Sequence, residues 1–437
     1  MKRYFSLIFI LTILWMATKG QADVGPVYIL GEQIVANTAS NVVLERETVE
    51  ITLHPLNAEV VCHFYLRNTG EKEHLLLAFP GKSEEDDDRR GDIHADWNMK
   101  SFQVQMNHQK VSTTYISNSK NYKNGIIQAI SRFSGWYIWG WTFSPHQLVH
   151  IQISYTAFDR SHSYPINPYG HFRYYLSTGS FWKGPIGDVQ VTVRFAEMNI
   201  WQVNDFSPRQ GQVNADQSIS WHFTNIEPDL HSDIKIWYEI DPLAKVPGAF
   251  DRLGVDSLRS QGMEKLLMNL NFETLAEKIH MFVKRLNEET GWGYESIYGV
   301  VLSNIERDVL TAGKRFQQQK QWKKAIAFYV GFREKFGDIR SNLRPYSIFD
   351  IELAECYSAI GDTEKALTYY RASMDPAPLD EKRYKWGMFN MFNSDSKEML
   401  KEVPFDSPKS RRWKHYFYSR GLNEYCRARI RALGGKI

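Results

Sequence analysis

The sequence contains an aromatic run, WYIWGW at residues 136–141, whose spacing suits the binding of sugars. In a β-strand, Tyr137, Trp139 and Trp141 lie on one face at intervals of about 6.7 Å, because alternate side chains share a face. Flat rings at that spacing can stack on successive sugar rings, so these residues and Trp136 are a candidate polysaccharide platform. The favoured interpretation, however, is that the rings pack in the protein core or cover a sheet face, as most large aromatic side chains do.

An acidic run, EEDDD at residues 84–88, supplies oxygen atoms of the kind that Ca²⁺ prefers. The segment imitates the first half of a calcium-binding loop. However, Arg90 stands at the fifth position and Trp97 at the twelfth, where ligands belong. A solvated loop is therefore the favoured interpretation, and no metal is predicted. The weak calcium candidates are Asp86, Asp88 and Asp92.

Motifs that would indicate an enzyme are absent from the sequence. It has no H-E-x-x-H, no G-x-S-x-G, no P-loop and no G-x-G-x-x-G. The 13 histidines are scattered, and His108, His146 and His150 share no ligand spacing. No catalytic residue and no cofactor is predicted. An enzyme is disfavoured but not ruled out, because the paired carboxylates of a glycosidase leave no motif.

Residues 23–240 show the period-two alternation of strands that have one buried face. Val49, Ile51 and Leu53 alternate with polar residues. The pattern returns at 60–66, 102–106, 149–155, 189–195 and 234–240. This spacing predicts one or two antiparallel β-sandwich-like domains over 23–240.

The hydrophobic period changes after a linker predicted over 241–262, which contains Pro247 and Gly248. From there apolar residues recur at helical spacing, so residues 263–437 are predicted to be α-helical. Helices are expected over 263–287, 294–310, 379–402 and 409–432, on either side of two helix pairs at 311–338 and 347–378.

The segment SIFDIELAECYSAIGDTEKALTYYRASMDPAP, residues 347–378, resembles a tetratricopeptide repeat (TPR). The motif has small residues where its two helices approach, large residues between repeat units, and a turn between the two helices. Ser373 and Asp350 depart from it modestly, because the motif usually has Ala and Trp there. The matching residues are Leu353, Ala354, Tyr357, Gly361, Asp362, Ala366, Tyr370 and Pro378.

A weaker unit of the same kind precedes it, in residues 311–338. Its matching residues are Gly313, Phe316, Trp322, Ala325 and Tyr329. Two units are too few for a free-standing solenoid, since stacking of units buries the core. We therefore expect the flanking helices to complete a TPR-like array. In such arrays the concave face commonly binds peptides or proteins, so the resemblance implies a docking surface and not catalysis. The fold class predicted for the whole chain is multidomain, β then α.

The β-part also resembles secreted bacterial β-domain proteins of unknown function. The resemblance rests on the order of its phrases AEVVCHFYLRNTG, LLLAFPG, FWKGPIGDVQVTVRF and WHFTNIEP. It implies an architecture and no activity.

The N-terminal residues 1–22 have the plan of a secretory signal peptide. Lys2 and Arg3 precede an apolar stretch at 6–17, and the small residues Gly20 and Ala22 stand at positions −3 and −1 of a cleavage point before Asp23. The apolar stretch is shorter than the roughly 20 residues of a membrane span. A secreted, periplasmic or envelope-associated protein is predicted, with an uncleaved membrane tether as the alternative. The three cysteines are predicted to be buried free thiols.

The near-neutral formal charge of +3 conceals two halves of opposite sign. Acidic residues are in excess over 23–240, and basic residues over 241–437. Residues 409–437 hold nine Lys or Arg against one acid, Glu424. This basic segment is expected to contact an anionic envelope polymer, to dock on the acidic β-part, or to form a capping helix with solvated Arg residues. The third interpretation is favoured, and no nucleic acid partner is expected.

The function predicted is that of an exported, non-catalytic binding or assembly protein of the bacterial cell envelope. Its helical array would hold a protein partner. The alternative is an envelope glycan-binding protein or glycan-active enzyme that uses the aromatic run at 136–141.

Overall fold

The computed structural model describes residues 24–30, 33–37, 39–83, 97–117, 133–159, 169–229, 231–239, 255–260, 262–291, 293–337, 348–374 and 420–436. Its N-terminal part consists of extensive β-structure and its C-terminal part of helices, which confirms the predicted order of β then α. No helix within the described ranges is long and apolar enough to cross a membrane.

The β-part contains strands β1 (Gly25–Leu30), β2 (Gln33–Ala36), β3 (Val42–Leu53), β4 (Asn57–Asn68), β5 (Glu73–Ser83), β6 (Trp97–Met106), β7 (Gln109–Val111), β8 (Thr114–Ser117), β9 (Phe133–Phe143), β10 (Leu148–Asp159), β11 (Tyr169–Tyr174), β12 (Ile186–Phe195), β13 (Val203–Ser207), β14 (Gln212–Val213), β15 (Ile219–Ile226) and β16 (Ile234–Glu239). Two 3₁₀ helices interrupt them, at Leu176–Phe181 and Ile200–Gln202.

The alternating segments form strands because each places its apolar residues on the buried face. In β4, Cys62, Phe64 and Leu66 are buried, and the residues between them are partly exposed. In β3 the alternation shifts at a bulge between Leu44 and Arg46, which turns Glu47 into the core. The Tyr174 hydroxyl of β11 donates to the buried Glu47 carboxylate at 3.0 Å.

The larger sheet has the strand order β14-β15-β12-β3-β4-β10-β6-β5-β1-β2, with β9 pairing with β5 on one side and β8 on the other. Strands β3 and β12 pair in parallel, and the other pairings among the described strands are antiparallel. Strands β5 and β6 meet at one register pair, Lys82 with Asn98. Within the described residues, the group β8-β9-β5-β1-β2 is therefore joined to the rest of the sheet at this one register pair.

A smaller sheet, β11-β16-β13, packs on the same core. Phe172, Ile236 and Phe206 of its three strands belong to one buried apolar cluster with residues of the larger sheet. An ion pair, Arg173 with Asp233 at 2.8 Å, lies beside this cluster with both side chains at most 7% exposed. Asp233 also accepts from the Ser177 backbone, so its buried charge is compensated.

The helical part contains α1 (Val255–Ser260), α2 (Met263–Met268), α3 (Phe272–Thr290), α4 (Tyr294–Gln318), α5 (Trp322–Phe336), α6 (Ile348–Ala359), α7 (Thr363–Ser373) and α8 (Arg420–Ala432). Helix α1 lies inside the predicted linker 241–262, so helical structure begins before the predicted boundary. Residues 379–402, expected to be helical, lie outside the described residues, and so do residues 409–419 of the helix expected over 409–432.

The helix expected over 263–287 is divided into α2 and α3. Leu270 has a left-handed backbone with φ of 55°, which stops α2, and the Asn271 side chain accepts from Thr274 N to cap α3. The helical period continues through the break because the apolar residues on both sides face one core. Periodicity therefore predicts a single helix where the capping residues make two.

Successive helices from α3 to α7 contact one another in series. Three-residue turns join α4 to α5 and α6 to α7, and connections this short place the two helices of a pair side by side and antiparallel. Helix α6 is apolar on two faces: Phe349 and Leu353 lie in a core built from α1 to α6, and Ile351 lies in the core shared with the sheets. The β-part and the helices α6, α7 and α8 therefore share one buried cluster.

The cysteine prediction is confirmed. Cys62, Cys356 and Cys426 are buried thiols that form no disulfide bond. Burial raises the pKa of the Cys356 thiol to about 12, so it stays protonated and unreactive at neutral pH.

Candidate functional site

The aromatic run forms β9, and its rings divide between two cores. Trp136 and Ile138 lie in a small cluster with Phe181, whereas Trp139 and Phe143 lie in the main core. A strand covered on both faces reads as a continuous apolar run, and this accounts for the sequence WYIWGW. The favoured interpretation, packing in the core, is confirmed for Trp136 and Trp139, which are 0% and 3% exposed, so the sugar platform is wrong for these two residues.

The other two residues of the predicted platform lie at the margin of the main core. Trp141 packs against the core and is partly exposed. The Tyr137 ring is stacked on Phe102, with centroids 4.0 Å apart, and has Tyr115 on β8 as a second neighbour at 5.0 Å. Tyr115 itself is 45% exposed. It lies over Gly135, where an added Cβ would fall 1.9 Å from the tyrosine oxygen.

Some predicted site residues lie outside the described residues. These are the calcium candidates Asp86, Asp88 and Asp92, the repeat residue Pro378 and the signal peptide 1–22.

The residues of the stronger repeat unit lie where two close-packed helices need them. Leu353, Ala354, Ala366 and Tyr370 are each 0% exposed in α6 and α7. Gly361 has φ of 80° in the turn, a conformation that favours glycine. Asp362 accepts from Lys365 N and caps α7. Tyr357, at the surface of the pair, stacks on Tyr369 with centroids 5.5 Å apart.

In the weaker predicted unit, two helices approach closely at Gly313. A Cβ added there would fall 2.2 Å from the Tyr329 hydroxyl oxygen, so α4 and α5 touch at this glycine. Phe316, Ala325 and Tyr329 are at most 1% exposed. The buried positions chosen in both units are thus packing positions, whereas Gly361 and Asp362 form the turn and the cap.

Glu355 of α6 is the centre of a polar cluster that joins α6, α7 and α8. Its carboxylate accepts from the hydroxyls of Tyr370 and Tyr425 and from the guanidinium of Arg429. Arg429 also donates to Ser358 at 3.1 Å. Burial, and then the Glu355 charge, raises the pKa of both tyrosines far above the ordinary value, so they act as donors at any physiological pH.

A second polar cluster spans the seam between the sheets and the helices. The Lys314 ammonium of α4 lies 4.9 Å from the ring centroid of Trp201, donates to the Asn199 side chain and lies 3.7 Å from Glu352 Oε1. Glu352 is 2% exposed and accepts from Gln317 at 2.9 Å. Burial raises the pKa of Glu352, and Lys314 and Gln317 oppose the rise.

The described end of the basic C-terminal segment, α8, packs on the β-part. The Arg420 guanidinium donates to the carbonyls of Phe206 and Arg209 at 2.8 and 2.7 Å, lies over the Phe206 ring and is 3.5 Å from Asp205. Leu422, Tyr425 and Ile430 are buried, as a capping helix requires. The expectation of solvated arginines is wrong for Arg420 and Arg429, because both bind within the chain.

Sequence spacing does not reveal a group of histidines on the outer face of the larger sheet. His63 of β4 and His150 of β10 are stacked, with centroids 5.2 Å apart, and His63 Nδ1 lies 3.0 Å from His150 Nε2. His108 follows β6, and its ring lies 5.5 Å from that of His150. Partial burial, and then the neighbouring histidines, lowers the pKa of His150. The sequence does carry one signal: in the alternating pattern of their strands, His63 and His150 both stand at positions that face away from the core.

Comparisons with known proteins add little. No family model matches the chain, and no curated protein matches it. Among solved structures, a protein of Legionella pneumophila described as a candidate nutrient-binding protein is similar at 17% identity, over 50% of this chain and 70% of that chain, with a TM-score of 0.35. At that TM-score the likeness carries no argument about fold or function.

Proposed function

We propose that this chain is an exported, non-catalytic binding and assembly protein of the bacterial cell envelope, whose helices dock a protein partner. The observation that supports this proposal best is the serial packing of the pairs α4–α5 and α6–α7. Helix pairs stacked in series create the extended surfaces with which repeat proteins bind partners. The export part of the proposal rests on the signal-like residues 1–22.

Two finer points of architecture belong to this proposal. Residues of the group β8-β9-β5-β1-β2 belong to the same core as those of the other strands, and in the described residues the group joins them through one register pair, which suits a sandwich-like β-part. The buried small residues Ala354 and Ala366, with the close approach at Gly313, suit a TPR-like arrangement of the helices.

The end of the array formed by α6 and α7 already has contacts within the chain. Arg429 of α8 binds Glu355, and Ile351 of α6 belongs to the core shared with the sheets. The partner is therefore expected at the other end, around α3. Met281 of α3 is 62% exposed, and methionine is a residue that adaptable binding surfaces use.

Affinity capture from an envelope extract, followed by hydrogen exchange with the purified partner, tests this role. The full mature chain should retain one protein saturably, and the partner should slow exchange in α3 to α5. Met281→Glu should weaken binding about tenfold, whereas the control Leu148→Glu, at a residue 45% exposed on the sheet, should not. Saturable capture that protects only the sheet, or no saturable capture, contradicts the proposal.

The alternative, binding of an envelope polysaccharide, keeps one supporting observation. Tyr115 is 45% exposed beside Tyr137, so one aromatic face near the run is open to a sugar. Affinity electrophoresis in gels that contain envelope polysaccharide tests it. Retardation of the chain that Tyr115→Ala removes supports this alternative, and equal mobility in the presence and absence of polysaccharide contradicts it.

A further inference from the structure

The histidine group on the outer sheet face has a geometry that suits a metal ion. The two nitrogens His63 Nδ1 and His150 Nε2 point at each other across neighbouring strands at 3.0 Å. Because the rings are nearly parallel and these nitrogens face each other, both rings must tilt to share an ion. With metal–nitrogen bonds of about 2.0–2.1 Å, two nitrogens so spaced then subtend an angle of about 95° at that ion. That angle is close to the 90° of a square-planar ion and well below the tetrahedral angle that Zn²⁺ prefers.

A second, independent observation concerns His108. It is the second residue of the two-residue turn between β6 and β7, and Asn107 and His108 have φ of 50° and 66°. Turns of this kind strongly favour glycine at the second position, because a Cβ is strained there. A strained backbone is tolerated most often where the side chain has a task.

The turn is also fixed to the strand that carries His150. Asn107 N donates to the His150 carbonyl at 2.8 Å, and His150 N donates to the Asn107 side chain at 2.9 Å. These two bonds hold His108 next to His150 whatever the rotamer of its ring. The third imidazole is thus kept within reach of the first two.

Imidazole nitrogens suit Cu²⁺, Ni²⁺ and Zn²⁺, and affinity among these divalent ions is highest for Cu²⁺. We propose that His63, His150 and His108 bind one Cu²⁺ ion on the outer face of the sheet. Among the residues that the structure describes, no three His, Cys, Asp or Glu side chains are already arranged to hold a metal. A side chain must therefore move when the ion binds. His63 and His150 provide the first two bonds, and the His108 ring turns about its side-chain bonds to provide the third.

The protonation states follow from the pair. One of the two facing nitrogens carries the proton of their hydrogen bond. When the ion takes the place of that proton, the imidazole that carried the proton changes tautomer: it loses the proton from the facing nitrogen and holds one on its other nitrogen. The ring therefore stays neutral. Neither ring needs to become an anion, so binding does not demand high pH.

The test is a titration of the metal-free mature chain, without an affinity tag, with CuCl₂ by calorimetry and electron paramagnetic resonance. The expected result is one Cu²⁺ per chain, with nitrogen hyperfine structure and tighter binding than for ZnCl₂ under the same conditions. His63→Gln and His150→Gln should each weaken binding about tenfold or more. The control His222→Gln, at a histidine of the same sheet face that pairs with Asp188 at 2.6 Å, should not change it.

His108→Gly separates a metal ligand from a structural residue. Glycine relieves the strained turn, so this variant should melt at the same or a higher temperature while it binds Cu²⁺ more weakly. Three results overturn the proposal: no stoichiometric uptake of Cu²⁺, uptake that is unchanged in His63→Gln and His150→Gln, or tighter binding of Zn²⁺ than of Cu²⁺.

Discussion

Arg429 donates to both carboxylate oxygens of Glu355, through Nε at 3.2 Å and Nη2 at 3.1 Å. The fork of a guanidinium matches a carboxylate in this way, and the bond fixes distance and direction together. Because Arg429 lies on α8 and Glu355 on α6, this pair ties the described C-terminal helix to α6. Tyr370 and Tyr425 complete the arrangement by donating to the same carboxylate.

Glu355→Gln should lower the free energy of unfolding by about 2 kcal/mol, because the amide leaves a partly buried guanidinium without its counter-charge. Denaturant unfolding measures the change. Glu364→Gln, at an exposed residue of α7, is the matched control and should change stability by less than about 0.5 kcal/mol. Equal stabilities of the two variants would show that the Glu355 cluster does not hold α8.

Gly313→Ala should destabilise the chain by about 1–3 kcal/mol, although alanine is the better helix former. The added methyl group would lie 2.2 Å from the Tyr329 hydroxyl, so α4 and α5 must move apart. Gly299→Ala in the same helix is the control. An added Cβ there meets no described atom within 4 Å, so this variant should gain about 0.5–1 kcal/mol. Thermal unfolding of both variants checks the sign, and a stabilised Gly313→Ala variant would contradict the close packing.

Arg420→Lys should loosen α8 from the β-part at a cost of about 1–2 kcal/mol. A lysine keeps the charge, but it cannot bind two carbonyl groups as a fork and lie flat over Phe206 at the same time. Hydrogen exchange in α8 and the free energy of unfolding report the change. Arg427→Lys, on the same helix beside Glu424, should behave like the wild type. Fast exchange in both variants, or in neither, would argue against a specific role of Arg420.

The raised pKa of Glu352 leads us to expect that the stability of the chain depends on pH. Because its pKa is raised in the folded protein, the folded state keeps the proton to higher pH than the unfolded state does. Its contribution to stability is present below the unfolded pKa of about 4.5 and is lost as pH rises through the folded pKa. Glu352→Gln should therefore match the wild type near pH 4 and melt at a higher temperature near pH 8. A difference that does not change with pH would mean that the pKa of Glu352 is the same in the folded and the unfolded state.

The strands with one buried face were predictable because their alternation has a single physical cause. Cys62, Phe64 and Leu66 face the core, and their neighbours face water. The aromatic run was harder to interpret, because a strand covered on both faces and a strand with an exposed aromatic face share the same letters. Only the position of Trp136 and Trp139 relative to two separate cores distinguishes these cases.

Sites assembled from distant segments left no spacing to recognise. His63, His108 and His150 lie on different strands or turns, and the register of β4 with β10 brings two of them together. In the same way, Lys314 meets Trp201 and Glu352 only after the helices pack on the β-part. The charge difference between the two halves did point toward contact between them, and the Arg420–Asp205 pair is one such contact.

The parallel pairing of β3 with β12 has a consequence for the route by which the chain folds. Val49 and Val191 are neighbours in this pairing although they are roughly 140 residues apart in the chain. Forming a contact between residues so far apart closes a large loop. The chain loses the conformational entropy of that loop before the new contacts stabilise it. We therefore expect the hairpin of β3 and β4 to form early and the docking of β12 to be slow. Until then, the β3 edge that β12 will cover stays open to pairing with another chain, and aggregation of the newly synthesised protein would begin there.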